Sequence, residues 1–297
     1  ARAVVADGVA REAAEAAERE RRLHRGPHLG AGLVVPVGER DGVVHFGGEV
    51  RVAAPDGLVH RANRVARQRV AREAGHVHQR LGGLHSADRV IASVDFAEVE
   101  TLQAAGAWDE AGHYLAERAV ALQAAGADVV VLCTNTMHRV ADQIEAALGV
   151  PLLHLADATA MAVQAAEVGT VGLLGTAFTM EQDFYRGRLA AHGLRVLVPP
   201  THDRELVHRV IYRELCLGVT RAESRSEYLR VIADLVAAGA EGVILGCTEI
   251  ELLIDPDSPS TVPLFPTTRI HAHAAVETAL AGNAEGGTSR QACQRWR

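Results

Sequence analysis

The chain has 297 residues, enough for one large domain or two lobes of ordinary size, and its 48% hydrophobic and 23% charged content is typical of a globular protein. Its formal net charge of −7 gives no electrostatic basis for binding nucleic acid or an anionic membrane surface. All 30 residues of the Lys and Arg classes are arginine, which excludes Schiff-base and pyridoxal-lysine chemistry and the lysine of a P-loop.

The four cysteines, Cys133, Cys216, Cys247 and Cys293, lie far apart and form no CxxC pair, so neither a zinc site nor a thioredoxin motif is expected. A chain this long with so few cysteines is not a disulfide scaffold, and reduced thiols favour a cytoplasmic protein. No apolar run reaches the ~18 residues of a membrane span. The charged N-terminus lacks the apolar stretch of a secretory signal.

The first 80 residues are rich in arginine and contain few apolar runs. Residues 10–25 predict a highly charged, solvated helix. Residues 30–52 contain LVVPV and VVHF around GERDG, which predicts a hairpin. Residues 62–80 have helical composition. We therefore predict an atypical N-terminal extension over residues 1–55.

From Leu81 onward, short β-branched runs alternate with amphipathic segments that often end at glycine. The predicted strands are RVIASVDF, DVVVLC, PLLHLA, TVGLLG, LRVLVPP, GVILGC and PLFP. The predicted helices cover 108–125, 138–148, a segment ending near 168, 178–192, 203–217, 224–238 and 268–281. This alternation predicts an α/β fold with parallel sheets flanked by helices, and the uninterrupted apolar runs indicate that both sheet faces are covered.

One pattern occurs twice, as GADVVVLCTNT (126–136) and as GAEGVILGCTE (239–249). Each copy follows an amphipathic helix, and each is followed by a Pro-Leu strand and a helix carrying Ala and Thr. The chain should therefore hold two similar, pseudo-symmetric lobes. We assign residues 56–153 plus 262–282 to lobe 1, residues 154–261 to lobe 2, and residues 283–297 to a flexible tail.

Cys133 and Cys247 both stand at the carboxyl end of a predicted strand, where open α/β sheets bind ligands. If the lobes face each other, the two thiols approach one cleft from opposite sides. One thiol can then remove a proton from carbon while the other delivers a proton to the opposite face, which inverts a stereocentre without a cofactor. A single strand-end cysteine is more often a small buried hydrophobe, but packing alone does not require cysteine at both equivalent positions. Cys216 and Cys293 have no such counterpart and should be structural or inert.

These motifs resemble the aspartate/glutamate racemase family, and most closely its broad-specificity amino-acid racemase branch. The paired signatures are CTNT and GCTE, and LGGLHSA, SVDF, ADAT, GLLGT, FTMEQDFYRGRL, ELCLG and TTRIHA extend the resemblance over residues 81–280. The resemblance implies a two-lobe fold, commonly a homodimer, with a small amino-acid substrate between the lobes, no cofactor and no metal. It implies no nucleic-acid or membrane partner.

The resemblance also implies roles for individual residues. Cys133 and Cys247 would be the two acid/base groups. The residues that would bind the substrate carboxylate and ammonium are Thr134, Asn135, Thr136 and Thr248. Glu249 could orient or deprotonate Cys247, or merely cap the following turn. Gln103 could contact a neutral substrate side chain, or be an exposed helix residue.

Several positions depart from the family. Acid-specific relatives carry Asp-Arg where this chain has Asp95-Phe96, which argues against aspartate or glutamate as the main substrate. Residues 52–66 lack the Gly-Gly, the apolar strand and the Ser/Thr cluster that open the first lobe, whereas VGLLGTAFTM keeps the second-lobe counterpart. A central strand of lobe 1 should therefore be lost or replaced. Pro266 stands where relatives have Asp.

Three residues that follow the cysteine strands, His154, Asp157 and His271, are predicted to be structural rather than catalytic. Two alternatives to the racemase remain open. One is a catalytically impaired member that binds a small molecule without turnover. The other is a related enzyme such as a hydantoin racemase or maleate isomerase; a decarboxylase of this fold needs only one cysteine.

Overall fold

The structure is a computed structural model and describes residues 30–36, 64–85, 87 and 89–284. In this part of the chain, eight strands form two four-stranded sheets. The predicted helix at 10–25, the VVHF segment, residues 52–63 and Cys293 lie outside the described residues. The α/β architecture with two similar sheets confirms the predicted fold class.

The first sheet has the strand order β2-β1-β3-β4. Its strands are β1 (Gly30–Pro36), β2 (Arg89–Asp95), β3 (Val130–Leu132) and β4 (Leu152–Leu153). β3 and β4 are parallel, but β1 runs antiparallel to both of its neighbours, β2 and β3. The predicted LVVPV strand is therefore confirmed as part of β1, although it pairs with β2 and β3.

The second sheet has the order β6-β5-β7-β8, and all of its strands are parallel. They are β5 (Thr170–Gly175), β6 (Arg195–Leu197), β7 (Gly242–Gly246) and β8 (Leu264–Pro266). The two sheets match position by position, so that β1 corresponds to β5 and β3 to β7. The sequence repeat around the two cysteines is thus a repeat of structure.

The central position of the first sheet is replaced rather than lost. β1 occupies the place that β5 holds in the second sheet, but in the opposite direction. The apolar run GAGLVVP predicts a strand inside a covered sheet. It does not predict the direction of that strand, because the pattern is the same in both directions. At the carboxyl edge of β3, the first sheet therefore has the start of β1, where the second sheet has the end of β5.

The helices largely follow the predicted segments. They are α1 (Arg64–Leu81), α2 (Phe96–Ala105), α3 (Trp108–Ala124), α4 (Ala141–Ala147), α5 (Leu155–Ala165), α6 (Ala177–Glu181), α7 (Asp183–Ala191), α8 (Thr201–Arg213), α9 (Ala222–Ala237) and α10 (Thr267–Ala284). Short 3₁₀ turns cover Thr136–Val140, Leu215–Leu217 and Ile250–Leu252. The predicted helix at 178–192 is broken at Gln182, which has extended backbone angles.

Helix α2 was absent from the sequence prediction. Its N-terminus is capped by Asp95, whose Oδ1 accepts a hydrogen bond of 3.0 Å from Ala97 N. Its C-terminus is Gly106, at φ 69°, a left-handed conformation that glycine adopts without steric cost. The Asp95 that closes strand β2 therefore also starts the helix that carries Gln103.

Two helices pack against both sheets. Ala158 of α5 and Ala274 of α10 pack with Val131 of β3, whereas Leu155 and Val163 of α5 belong to the core of the second sheet. Two predicted boundaries are corrected by the strand pairing. β8 lies within 262–282, which was assigned to lobe 1, but it pairs with β7 of the second sheet. β1 lies within 1–55, which was assigned to an extension, but it is part of the first sheet. The remaining lobe boundaries stay predictions.

Candidate active site

Cys133 directly follows β3, on a loop that a histidine fixes. Its Sγ lies 3.5 Å from Val131 O and is partly exposed. His138 Nε2 accepts a hydrogen bond from Leu155 N at 3.1 Å, so the proton of the neutral ring is on Nδ1, which donates to Thr134 O at 2.6 Å. His138 is 2% exposed and thus ties the loop after Cys133 to helix α5.

Cys247 directly follows β7 and is buried, with its Sγ donating to Glu249 Oε2 at 3.0 Å. Thr248 Oγ1 donates to the same oxygen at 2.6 Å. Burial, and then the charge of Glu249, raise the pKa of Cys247 well above that of an ordinary thiol. Cys247 is therefore a neutral thiol at physiological pH, which is the protonation state of a proton donor.

The alternative role for Glu249, a cap of the following turn, is wrong. Glu249 stands at the N-terminus of the 3₁₀ turn Ile250–Leu252, but its side chain makes no capping hydrogen bond. Its Oε2 accepts hydrogen bonds from the side chains of Cys247 and Thr248 instead. The carboxylate is thus directed at the thiol.

The loop after Cys133 contacts the carboxyl edge of the second sheet. Thr136 Oγ1 lies 3.0 Å from Thr176 Oγ1, at the end of β5. Asn135 Nδ2 donates to Thr267 Oγ1 at 3.3 Å, and Thr267 Oγ1 donates to Leu245 O of β7 at 2.9 Å. The edge that carries Cys247 therefore faces the loop that carries Cys133.

Polar groups of this region are available for a ligand. Asn135 is 4% exposed, and its Oδ1 has no hydrogen-bond partner within the described part of the chain. Because a buried acceptor without a partner is costly, this oxygen suits an N–H donor of a bound molecule. The sequence prediction omitted Thr176 and Thr179, whose hydroxyls lie 3.2 Å apart. Both lie in the GTAFT segment, whose resemblance to the family could have identified them.

Gln103 is 4% exposed, so the alternative that it is an exposed helix residue is wrong. Its Nε2 lies 2.8 Å from Met137 Sδ, and its Oε1 accepts a hydrogen bond from Tyr212 at 3.2 Å. Its contact with a substrate side chain stays a prediction.

The three residues predicted to be structural all make contacts within the fold. His154 Nδ1 accepts from Ala156 N at 3.1 Å, and His271 Nε2 contacts Leu153 O at 2.9 Å. Burial, and then His138, lower the pKa of His154 far below its usual range, so its ring is neutral. Arg188 forms two hydrogen bonds of 2.7 Å to Asp157.

Across residues 30–36, 64–85, 87 and 89–284, no group of three or more His, Cys, Asp or Glu side chains could hold a metal ion. Nor does any helix within these ranges have the length and apolar character needed to cross a membrane.

Comparison with known proteins gives consistent matches. The model of the Asp/Glu/hydantoin racemase family matches residues 62–275. The chain is 25% identical over 173 residues to RacX of Bacillus subtilis (strain 168), named a broad specificity amino-acid racemase, covering 58% of this chain and 74% of RacX.

Two solved structures resemble the chain at higher coverage. A candidate Asp/Glu racemase from Yersinia pestis is 52% identical, with a TM-score of 0.68, covering 73% of this chain and 94% of that one. An aspartate racemase homologue from Pyrococcus horikoshii is 30% identical, with a TM-score of 0.63, covering 72% of this chain and 94% of its own.

Proposed function

Because the chain belongs to the Asp/Glu/hydantoin racemase family, we propose that it is a cofactor-independent isomerase that interconverts L- and D-amino acids through Cys133 and Cys247. The family supports racemase activity in general, and the two-thiol mechanism and the broad substrate range are proposed here. The observation that carries the proposal is the Cys247–Glu249 hydrogen bond, on the sheet edge that faces the Cys133 loop.

In the proposed reaction, the thiolate of Cys133 removes the proton from Cα, and the electron pair stays on Cα, delocalised towards the carboxylate. The S–H of Cys247 then donates its proton to the opposite face, which leaves Cys133 as thiol and Cys247 as thiolate. The reverse direction uses the same residues with exchanged roles. The raised pKa of Cys247 favours it as the donor at the start of the first direction.

Glu249 suits two tasks in this scheme. Its Oε2 holds the Cys247 S–H in one orientation at 3.0 Å, and the same oxygen can receive that proton when Cys247 must act as the base. Thr248, which donates to this oxygen at 2.6 Å, fixes the carboxylate.

Neutral groups are proposed to hold the substrate. Asn135 Oδ1 would accept from the ammonium, while the hydroxyls of Thr134 and Thr136 and the backbone N–H of Thr248 would bind the α-carboxylate. Phe96 stands where acid-specific relatives have arginine, so the side-chain carboxylate of aspartate or glutamate has no clamp at that position. This difference, and the similarity to RacX, support a broad range of neutral substrates.

A second candidate function is small-molecule binding without turnover. The reversed direction of β1 favours this function. β5 ends at the site and continues into a loop and a helix there, whereas β1 begins at that edge and ends at the opposite one. A hydantoin or a maleate isomerisation is the related enzymatic alternative, and both substrates belong in the assay.

Two further properties are proposed, the first by resemblance to the family and the second from the cysteines. We propose a homodimer, which light scattering on a size-exclusion column would test, with a monomer as the contradicting result. We propose a cytoplasmic location because Cys133, Cys216 and Cys247 are free thiols, which suits a reducing compartment.

The test is Cα deuterium incorporation in D₂O across a panel of L- and D-amino acids that includes aspartate and glutamate, followed by NMR and chiral chromatography. A 5-substituted hydantoin is tested in the same way, and conversion of maleate to fumarate is followed by NMR. We expect label in the inverted enantiomer with wild type, none with Cys133→Ala or Cys247→Ala, and wild-type rates with the matched control Cys216→Ala. Binding of an amino acid without any exchange would favour the non-catalytic function. Exchange retained in either active-site variant would contradict the two-thiol mechanism.

A further inference from the structure

We propose that Tyr212 is a positioning residue, whose hydrogen bond to Gln103 holds the two lobes at the separation that sets the two thiols on opposite faces of one carbon. The proposal rests on the racemase function given above. It assigns a role to a tyrosine of helix α8 that is joined to the first lobe by its hydroxyl.

The bond joins groups that belong to the two cysteine regions. Gln103 lies on α2 in the first lobe, and its Nε2 contacts Met137 Sδ at 2.8 Å. Met137 is 1% exposed and lies in the 3₁₀ turn that follows the Cys133 loop. A shift of Gln103 therefore displaces the turn that supports this loop.

On the other side, Tyr212 packs against the hydrophobic core of the second lobe, of which Cys247 is a member. Burial raises the pKa of Tyr212 above its usual range, so the phenol stays a neutral donor. The ring packs against His208 with 4.7 Å between centroids, and His208 Nδ1 accepts from Ala177 N at 3.1 Å. The hydroxyl of Tyr212 is therefore held in a defined position.

This bond lies beside other contacts between the lobes. Trp108 of the first lobe packs edge-on against Phe178 of the second at 5.3 Å between centroids, and Thr136 contacts Thr176 at 3.0 Å. Separating the lobes would exchange the Tyr212–Gln103 hydrogen bond for hydrogen bonds to water, and the loss of its net stabilisation disfavours opening. The reaction needs both thiols near contact distance of Cα, and a displacement of about 1 Å can cost about 100-fold in rate.

The test compares Tyr212→Phe, Gln103→Leu and the double variant with wild type in D₂O, starting from one enantiomer. We measure kcat and the ratio of deuterium in the recovered starting enantiomer to that in the inverted product. If the lobes separate, the thiol that formed the carbanion exchanges with solvent and reprotonates the same face. We expect kcat to fall about fivefold and the ratio to rise about fivefold, the effect of losing one hydrogen bond of ordinary strength.

Tyr228→Phe is the matched control, because Tyr228 OH donates to Val207 O at 2.9 Å within the second lobe. It removes an equivalent tyrosine hydrogen bond and should lower stability while leaving the deuterium ratio at the wild-type value. The double variant should be no worse than either single variant. A wild-type ratio in Tyr212→Phe, or effects that multiply in the double variant, would overturn the positioning role.

The wild-type protein separates this proposal from the racemase function. If wild type exchanges no compound of the panel, the racemase function fails, and the rate of iodoacetamide alkylation of Cys247 then tests Tyr212 without turnover. Faster alkylation in Tyr212→Phe than in Tyr228→Phe would support a link that closes the lobes over the buried thiol. Equal rates in the two variants would refute it.

Discussion

Replacing Glu249 by glutamine tests whether this carboxylate sets the protonation of Cys247. The two side chains are 3.0 Å apart, and burial together with the carboxylate charge raises the pKa of the thiol. In Glu249→Gln the charge is removed, while the amide oxygen can still accept from Thr248 Oγ1. We therefore expect the pKa of Cys247 to fall towards its ordinary range.

The magnitude follows from the distance. Two unit charges 3.0 Å apart repel by about 5 kcal/mol at an effective dielectric constant of about 20. Solvent at the partly exposed Glu249 screens this to about 1.4 to about 2.8 kcal/mol, which corresponds to a thiolate population about 10 to about 100 times larger at a given pH. Because a thiolate loses nucleophilicity as its pKa falls, the alkylation rate should rise only about 3- to 10-fold.

The assay is alkylation by iodoacetamide at about pH 8, followed for each cysteine peptide by mass spectrometry. Two internal controls are present in the chain. The pKa of Cys216 is raised by burial and then by Glu249, so Cys216 should respond in the same direction but less strongly. Cys133 should react at its wild-type rate. A Cys247 rate that is unchanged or lower in a folded Glu249→Gln protein would refute the reasoning.

The other predictions concern stability. In Gly175→Ala the new Cβ would lie 2.8 Å from Gly246 O, so β5 and β7 must separate. We expect the free energy of unfolding, measured with denaturant, to fall by about 1 to 3 kcal/mol. The control Gly187→Ala, where the nearest atom is 3.7 Å from the new Cβ, should be neutral or stabilising. Burial would raise the pKa of Asp157, but its arginine and histidine partners outweigh this and lower it. Asp157→Asn should therefore lower the free energy of unfolding by about 2 kcal/mol at neutral pH. The variant should also lose less stability than wild type as the pH falls below about 4, and an equal loss in the two proteins would contradict this. Burial raises the pKa of Cys216, so ionisation of the unfolded thiol lowers the free energy of unfolding as pH rises above about 8.5. The drop between about pH 8 and about pH 10 should be smaller by about 2 kcal/mol in Cys216→Ala than in wild type, and an equal drop would contradict this.

Local sequence patterns predicted most of the strands and helices. The apolar runs of β5 and β7 and the glycines that end the preceding helices gave clear boundaries. Helix α2 was missed because Asp95 and Phe96 read as the end of a strand, and only the capping bond to Ala97 N shows the change. The direction of β1 could not be predicted, because periodicity is the same for both directions.

The candidate site was only partly predictable for a related reason. Cys133 and Cys247 were located by the repeat and the strand ends, and Glu249 by its place in the GCTE signature that the chain shares with the family. Tyr212 was not found, because its contact with Gln103 joins residues 109 positions apart in the sequence. Nothing local to the helix around Tyr212 marks it as different from a core aromatic residue.

The different construction of the two sheets has a consequence for the order in which they fold. All strands of the second sheet come from residues 170–266, and its pairs β5–β6 and β7–β8 each join strands that are consecutive in the chain and separated by a short connection, whereas β6 and four helices lie between β5 and β7. The first sheet must bring β1 beside β2 and β3, which requires closing a loop on the order of 50 residues before any pairing stabilises it. Because such non-local pairing is slow, the short-range pairs β3–β4, β5–β6 and β7–β8 should form first, and β1 should be the last strand to take its place beside the Cys133 strand.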